Sequence, residues 1–171
     1  MLRPYVIAFL LSCSLPAASP LFTQPTLSKT HIVFSHAGDL WIVARDGGEA
    51  KRLTTAQGSE SQPYFSPDGQ TIAFSGEYDG NVDVFTMPVN GGVPKRLTYH
   101  PDVDGVRGWT NDGQRVLFSS TRQTHTRVRQ LYTLGLSGGL PEMLPFPQAA
   151  GGAYSPDGGR IDYTPNEPAS R

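Results

Sequence analysis

Cysteine is nearly missing: the 171 residues contain one, Cys13. With no second thiol the chain forms no internal disulfide, and a mature form lacking Cys13 would have neither a thiolate nucleophile nor a cysteine metal ligand. A surplus of charge is missing as well. Fourteen Lys and Arg stand against fifteen Asp and Glu, so no general field gathers nucleic acid or anionic lipid. Long apolar runs are also absent, and the stretch from Tyr5 to Leu11 is far short of the roughly 20 residues that cross a bilayer as a helix. Helical periodicity is not found after it, and windows of helix length are repeatedly broken by the 19 Gly and 15 Pro.

The leading residues differ from the rest. Arg3, the apolar run and the small residues Ala17, Ala18 and Ser19 before Pro20 read as an export signal over residues 1–19, cleaved near Ala18 or Ser19. This predicts a periplasmic or extracellular location with no membrane attachment after cleavage. "LLSC" ending at Cys13 has some likeness to a lipoprotein box but lies early in the chain.

What the chain has in abundance is turn chemistry, and it recurs. "YFSPDGQTIAFSG" from Tyr64 returns as "GWTNDGQRVLFSS" from Gly108 and as "AYSPDGGRIDYTP" from Ala153. Phe65, Trp109 and Tyr154 fall in one column at spacings of 44 and 45 residues, and Asp68, Asp112 and Asp157 in another. "GGEAKRLT" from Gly47 and "GGVPKRLT" from Gly91 share the spacing of 44, with "GGLPEML" from Gly138 a weaker copy. A period of about 40–50 residues signals a propeller or a solenoid.

Within one period, strands are expected at Pro63 to Ser66, Thr71 to Ser75, Val82 to Val89 and Pro94 to Thr98. Pro67 presets its φ, Asp68 bonds its own backbone and Gly69 supplies a left-handed residue. Four short strands make one blade. The earlier segment follows suit, with Ile32 and Phe34 matching Ile72 and Phe74, and Trp41 and Val43 matching Val84 and Thr86 or their neighbours. The expected fold class is all-β: an incomplete β-propeller over residues 20–171 with about three and a half four-stranded blades. Blade 1 covers about residues 24–55, blade 2 about 62–99, blade 3 about 106–146, and the start of blade 4 about 152–165. Propellers close with roughly four to eight blades, so the chain reads as the front portion of something longer. Alone, it is expected to aggregate through unpaired edges.

Repetition also decides what most polar residues do. Ser66, Ser75, Ser119 and Ser155 recur with the turns and strands, with no G-x-S-x-G elbow, so they read as structure. His31, His36, His100 and His125 lack metal-ligand spacing, and no metal or cofactor is expected. "DVDG" from Asp102 opens like a calcium loop but has no closing glutamate. Arg122, Arg127 and Arg129 form a positive patch that reads first as cover for a long hairpin in water, with a face toward peptide as the alternative. Phe34, Phe74 and Phe118, with the column at Phe65, Trp109 and Tyr154, are expected to fill spaces between blades. Asp162 stands where Ala73 and Leu117 stand in the other copies, implying either an exposed hairpin or a damaged repeat.

"FSPDGQTIAF" resembles the repeats of the TolB and WD40-like propeller superfamily. "HAGDLWIVARDGGEAKRLTT", "EYDGNVDVFTMPVNGGVPKRLTYHP" and the junction "RLTYHPDVDGVRGWTNDG" resemble more narrowly the start of the tricorn-type serine proteases. The resemblance extends from Leu21 to about Pro165. It implies a six-bladed first propeller in a large serine peptidase that also carries a seven-bladed propeller, a helical region, a PDZ-like domain and a catalytic domain. In such proteins the first propeller is non-catalytic and shapes a channel for peptide substrate. The implied partners are peptides and the remaining blades and catalytic domains of the parent, itself a possible homo-oligomer. No catalytic residue is expected in this chain. An arginine pair in the family holds a peptide carboxylate, and Val106-Arg107 offers one half, making Arg107 the candidate carboxylate ligand; the alternatives are solvation or pairing with Asp104. Two other functions stay open: a TolB-like periplasmic module that binds proteins, and a truncated frame without independent function.

Overall fold

The apolar residues of "TIAFSG" leave no polar face, so a strand made from them needs cover on both sides. In the computed structural model, which describes residues 22–123, 128–146 and 148–166, that strand runs through the middle of a sheet with neighbouring sheets on each face. Three sheets have four antiparallel strands in sequence order. The first contains β1 (Thr23–Leu27), β2 (His31–His36), β3 (Asp39–Ala44) and β4 (Lys51–Arg52). The second contains β5 (Ser59–Phe65), β6 (Thr71–Glu77), β7 (Val82–Pro88) and β8 (Lys95–Arg96). The third contains β9 (Gly105–Trp109), β10 (Arg115–Ser120), β11 (Gln130–Gly135) and β12 (Glu142–Met143). The hairpin β13 (Ala149–Tyr154) and β14 (Ile161–Pro165) follows. Among the described residues there is no helix, and the architecture is the expected partial propeller.

Side-chain alternation divides each middle strand between two seams. Ile72 and Phe74 of β6 pack back onto Val33 and Leu40 of the first sheet. Ala73 of the same strand packs forward against Val106, Val116 and Phe118 of the third. Leu117 and Leu131 then meet Ala149, Tyr154 and Ile161 of the hairpin. Burying one large apolar side chain contributes roughly 1.5–3 kcal/mol, so seams rather than isolated sheets hold the arc together. The aromatic column lies in these seams as expected, and Trp109 also donates its indole N–H to the Tyr64 carbonyl at 3.0 Å.

The register fixes which of the neighbouring residues match in the first unit. Phe34 pairs with Trp41, and Phe74 pairs with Phe85. Trp41 therefore corresponds to Phe85 and Val43 to Met87, the neighbours of Val84 and Thr86, because the turn between β2 and β3 is only Ala37-Gly38. Phe118 and Tyr132 repeat the cross-strand aromatic pair, with centroids 5.6 Å apart against 5.7 Å for Phe74 and Phe85. The fourth strands are shorter than expected, which limits the unpaired backbone at the outer edge. Asp162 is exposed on β14, the first of its two expected alternatives.

The turn phrase has one geometry in three copies. Ser66, Thr110 and Ser155 donate their hydroxyls to Asp68, Asp112 and Asp157. Each carboxylate also accepts a backbone N–H two residues on, at 3.0 Å. Gly69, Gly113 and Gly158 take φ of 71°, 68° and 72°, a conformation that costs glycine least. The hydroxyl first, and the backbone N–H second, hold all three carboxyls below their ordinary range. The first sheet manages with Ser28 alone, whose hydroxyl accepts from the His31 N–H at 2.9 Å.

Candidate functional site: the inner strands and their seams

The first strand of each unit touches its counterpart in the next, so β1, β5, β9 and β13 form a continuous inner wall. Each of the four carries a bulge. The register skips between Thr23 and Thr26, between Ser61 and Tyr64, around Arg107, and between Ala149 and Gly151. Gln24 and Gln62 sit there at φ 53°, in a region that non-glycine residues rarely occupy. Bulges disrupt the ladder and re-aim side chains.

Successive bulges are tied together by side chains. The Gln24 Oε1 accepts from the Gln62 backbone N–H at 2.7 Å. The Ser75 hydroxyl donates to Gln62 and accepts from the Val106 N–H, both at 2.9 Å. Arg107 continues the series, its Nε donating to the Ala150 carbonyl at 3.0 Å and its Nη1 to the Val106 carbonyl at 3.1 Å. The candidate ligand is thus a half-buried cation on the inner wall, held across the seam between the third blade and the β13–β14 hairpin. Burial, and next the charge of Arg129, lower its pKa. Beside it a cavity of about 240 Å³ is lined by Tyr64, Trp109 and Tyr154 among others.

Asp104 is not its partner. That carboxylate is fully buried and binds Arg122, whose guanidinium also lies 5.1 Å from the Phe118 ring centroid and 5.3 Å from that of Tyr132. Arg122 therefore departs from the expected solvated patch, because a buried carboxylate requires a compensating cation. Arg129 reaches the Ser119 hydroxyl at 3.3 Å. Arg127 and His125 lie outside the described residues, as do residues 1–19 with Cys13.

Buried acids are what reading the sequence missed. Asp83 binds Arg96 and accepts the Thr98 hydroxyl at 3.1 Å, while Thr98 accepts the Val84 N–H at 2.9 Å. Thr54 accepts the Leu40 N–H at 2.9 Å and donates to buried Glu60. Arg52 pairs with Asp39 at 2.7 Å. The recurring "RLT" thus marks a clasp between third and fourth strands, and the spacing of 44 between Asp39 and Asp83, and between Glu60 and Asp104, was the available signal. Tyr78, next to Glu60, has its hydroxyl pKa raised by burial first and by that carboxylate second.

The serines and histidines have structural partners. Ser66 and Ser155 close turns, and Ser75 and Ser119 lie in the seams. His31 meets the Thr30 hydroxyl at 2.9 Å, His36 packs between Phe22 and Trp41, and His100 Nδ1 accepts the Asp102 N–H at 3.1 Å. Among the described residues no three His, Cys, Asp or Glu side chains are grouped to hold a metal ion. The chemistry available on the inner wall is recognition by a guanidinium, which can give a carboxylate two parallel hydrogen bonds.

The model of the tricorn protease N-terminal beta propeller domain matches residues 19–171. Tricorn protease homolog 1 of Streptomyces coelicolor is 34% identical over 132 residues, covering 77% of this chain and 12% of that protein. A putative Tricorn-like protease N-terminal subunit of Sulfurisphaera tokodaii is 24% identical over 141 residues, covering 80% of this chain and 71% of the relative. Among solved structures, the tricorn protease superposes with a TM-score of 0.71 at 22% identity over 80% of this chain and 14% of that one. TolB from Acinetobacter baumannii gives 0.74 at 22% identity, over 88% of this chain and 39% of that one. These structural likenesses speak for the fold, and the family match with the Streptomyces relative speaks for kinship. The chain belongs to the family of tricorn protease N-terminal beta propeller domains.

Proposed function

We propose that this chain is the non-catalytic propeller portion of an exported tricorn-type serine peptidase, and that it shapes the passage by which peptides reach and are positioned for a catalytic domain carried outside these residues. The leader-like residues 1–19 support export to the periplasm or the extracellular space. The Sulfurisphaera relative, named an N-terminal subunit, supports a propeller acting as a discrete part of a larger machine. Its partners are peptide substrates and the remaining blades and catalytic domains, in a parent that forms a homo-oligomer.

The observation that carries this reading is Arg107: a half-buried guanidinium on a bulge of an inner strand, with no ion-pair partner among the described residues. Its role is to hold the carboxylate end of a peptide. In the full-length protein, Arg107→Ala should weaken hydrolysis of a peptide with a free carboxyl end by about ten- to a hundred-fold, as expected for one charge-assisted hydrogen bond of about 1.5–3 kcal/mol. Its amidated twin should change little. Equal loss on the two peptides would mean that Arg107 serves only to tie the seam.

A further inference from the structure

Arg107 is not alone in its seam. The backbone of Arg129 is fastened to the same hairpin, its carbonyl accepting the Ala149 N–H at 3.0 Å and the Asn166 Nδ2–H at 2.8 Å. Its side chain turns back to the Ser119 hydroxyl. Ser119 is the cross-strand partner of Gly105. Both terminal nitrogens of Arg107 lie 3.5 Å from where a Cβ on Gly105 would stand, and its Cδ and Nε lie 3.8 Å from the equivalent point on Gly151. Two guanidinium groups, one on β9 and one just before β11, therefore approach one Gly105–Ser119 pair, in a seam kept open by glycine on each side.

Among the described residues neither has an ion-pair partner, although Asp102 shares a cavity wall with Arg129. Asp104, the nearest acid in sequence to Arg107, is taken by Arg122. The charge of Arg129 acts on Arg107 strongly enough to lower its pKa, second only to burial. Two like charges in a half-buried seam repel, and an anion placed between them relieves that repulsion while receiving hydrogen bonds from both.

We infer that Arg129 is the second specificity-determining cation of this site, completing with Arg107 a two-armed receptor for a terminal carboxylate across the joint between the third blade and the β13–β14 hairpin. The inference rests on the carboxylate reading of Arg107. It supplies from the segment just before β11 a cation that Val106, beside Arg107, does not offer.

Two peptides of one sequence, one with a free carboxyl end and one amidated, separate the two ideas in the full-length protein. Arg129→Gln retains a side chain able to donate to Ser119 but removes the charge, and Arg129→Ala removes both. Both variants should raise KM for the free-acid peptide about five- to ten-fold, leave the amide within about two-fold, and flatten the salt dependence of the free-acid KM. Combining either with Arg107→Ala should cost less than the product of the single effects, because both arms hold one group. If Arg107→Ala discriminates between the peptides while both Arg129 variants treat them alike, the second arm is wrong and the first stands. If no variant discriminates, both ideas fall. Arg129→Lys should restore part of the selectivity; a Lys variant no better than Gln would also count against a charge-based role.

Discussion

In the first blade Asp39 meets Arg52 at 2.7 Å on the outer edge, where water reaches the guanidinium. In the third, Asp104 is wholly buried at the entry to the inner strand and meets Arg122 beneath two aromatic rings. The positions matching Asp39 and Arg52 in the third blade are Gln130 and Met143, and the ionic tie at its outer edge is instead the partly exposed Arg115–Glu142 pair at 3.1 Å. The two blades share strand order and register, yet the third adds a buried ion pair at the inner end of its sheet. The propeller architecture thus requires the ladders and seams, while each blade has latitude in where it spends charge.

The comparison breaks most readily at the buried end. Asp104→Ala strands the Arg122 guanidinium in an apolar setting and should cost about 3–5 kcal/mol of stability. Asp39→Ala removes a half-solvated pair and should cost about 0.2–1 kcal/mol. Denaturant midpoints of the two variants in the full-length protein, or amide exchange in β9–β11 against β2–β4, would measure the contrast. Losses of similar size would show that water reaches Arg122 and that the two ends are not distinct.

The second blade lies between these extremes, since Asp83 is buried while Arg96 keeps partial contact with solvent. Asp83→Gln alone should cost about 2–3 kcal/mol, within the range for an unpaired buried partner. Adding Arg96→Met, which installs the third blade's solution in the second, should recover about 1 kcal/mol of that by removing the stranded cation. A double variant worse than the single would show that the third blade's Gln130–Met143 arrangement depends on its own ion pairs.

How far the sequence reveals this can be judged residue by residue. The period of 44 residues, the turn aspartates and the aromatic column were legible because turn geometry and seam packing impose a residue type at a fixed place in every copy. Trp41 could be matched only to within a residue, since hairpin length shifts register without altering composition. Asp104 was read only as an alternative partner of Arg107, and Arg122 as part of a solvated patch, because burial of a charge is a property of the assembled seam and leaves no local pattern. Arg107 was found through family resemblance, whereas Arg129 gains meaning only when the hairpin brings it near Gly105.

The smallest effect concerns the turns, and here the first blade again differs from those that follow. Asp68, Asp112 and Asp157 have folded-state pKa values below their ordinary value, through a serine or threonine hydroxyl first and a backbone N–H second. A depressed carboxyl pKa contributes stability that is present above the unfolded value and is lost as pH falls through the folded one. All three carboxylates are open to solvent, so the contribution is slight and screened by salt. Replacing the three by Asn should therefore flatten the fall in melting temperature below about pH 4 while leaving the neutral fold intact, because Asn can still accept the backbone N–H. The turn at Ser28 has no carboxylate, so hydrogen exchange in β1 and β2 should lack this acid response. An acid limb equally steep in wild type and triple variant would place the titrating groups elsewhere, with Asp83, Glu60 and Asp104 the buried acids to test next.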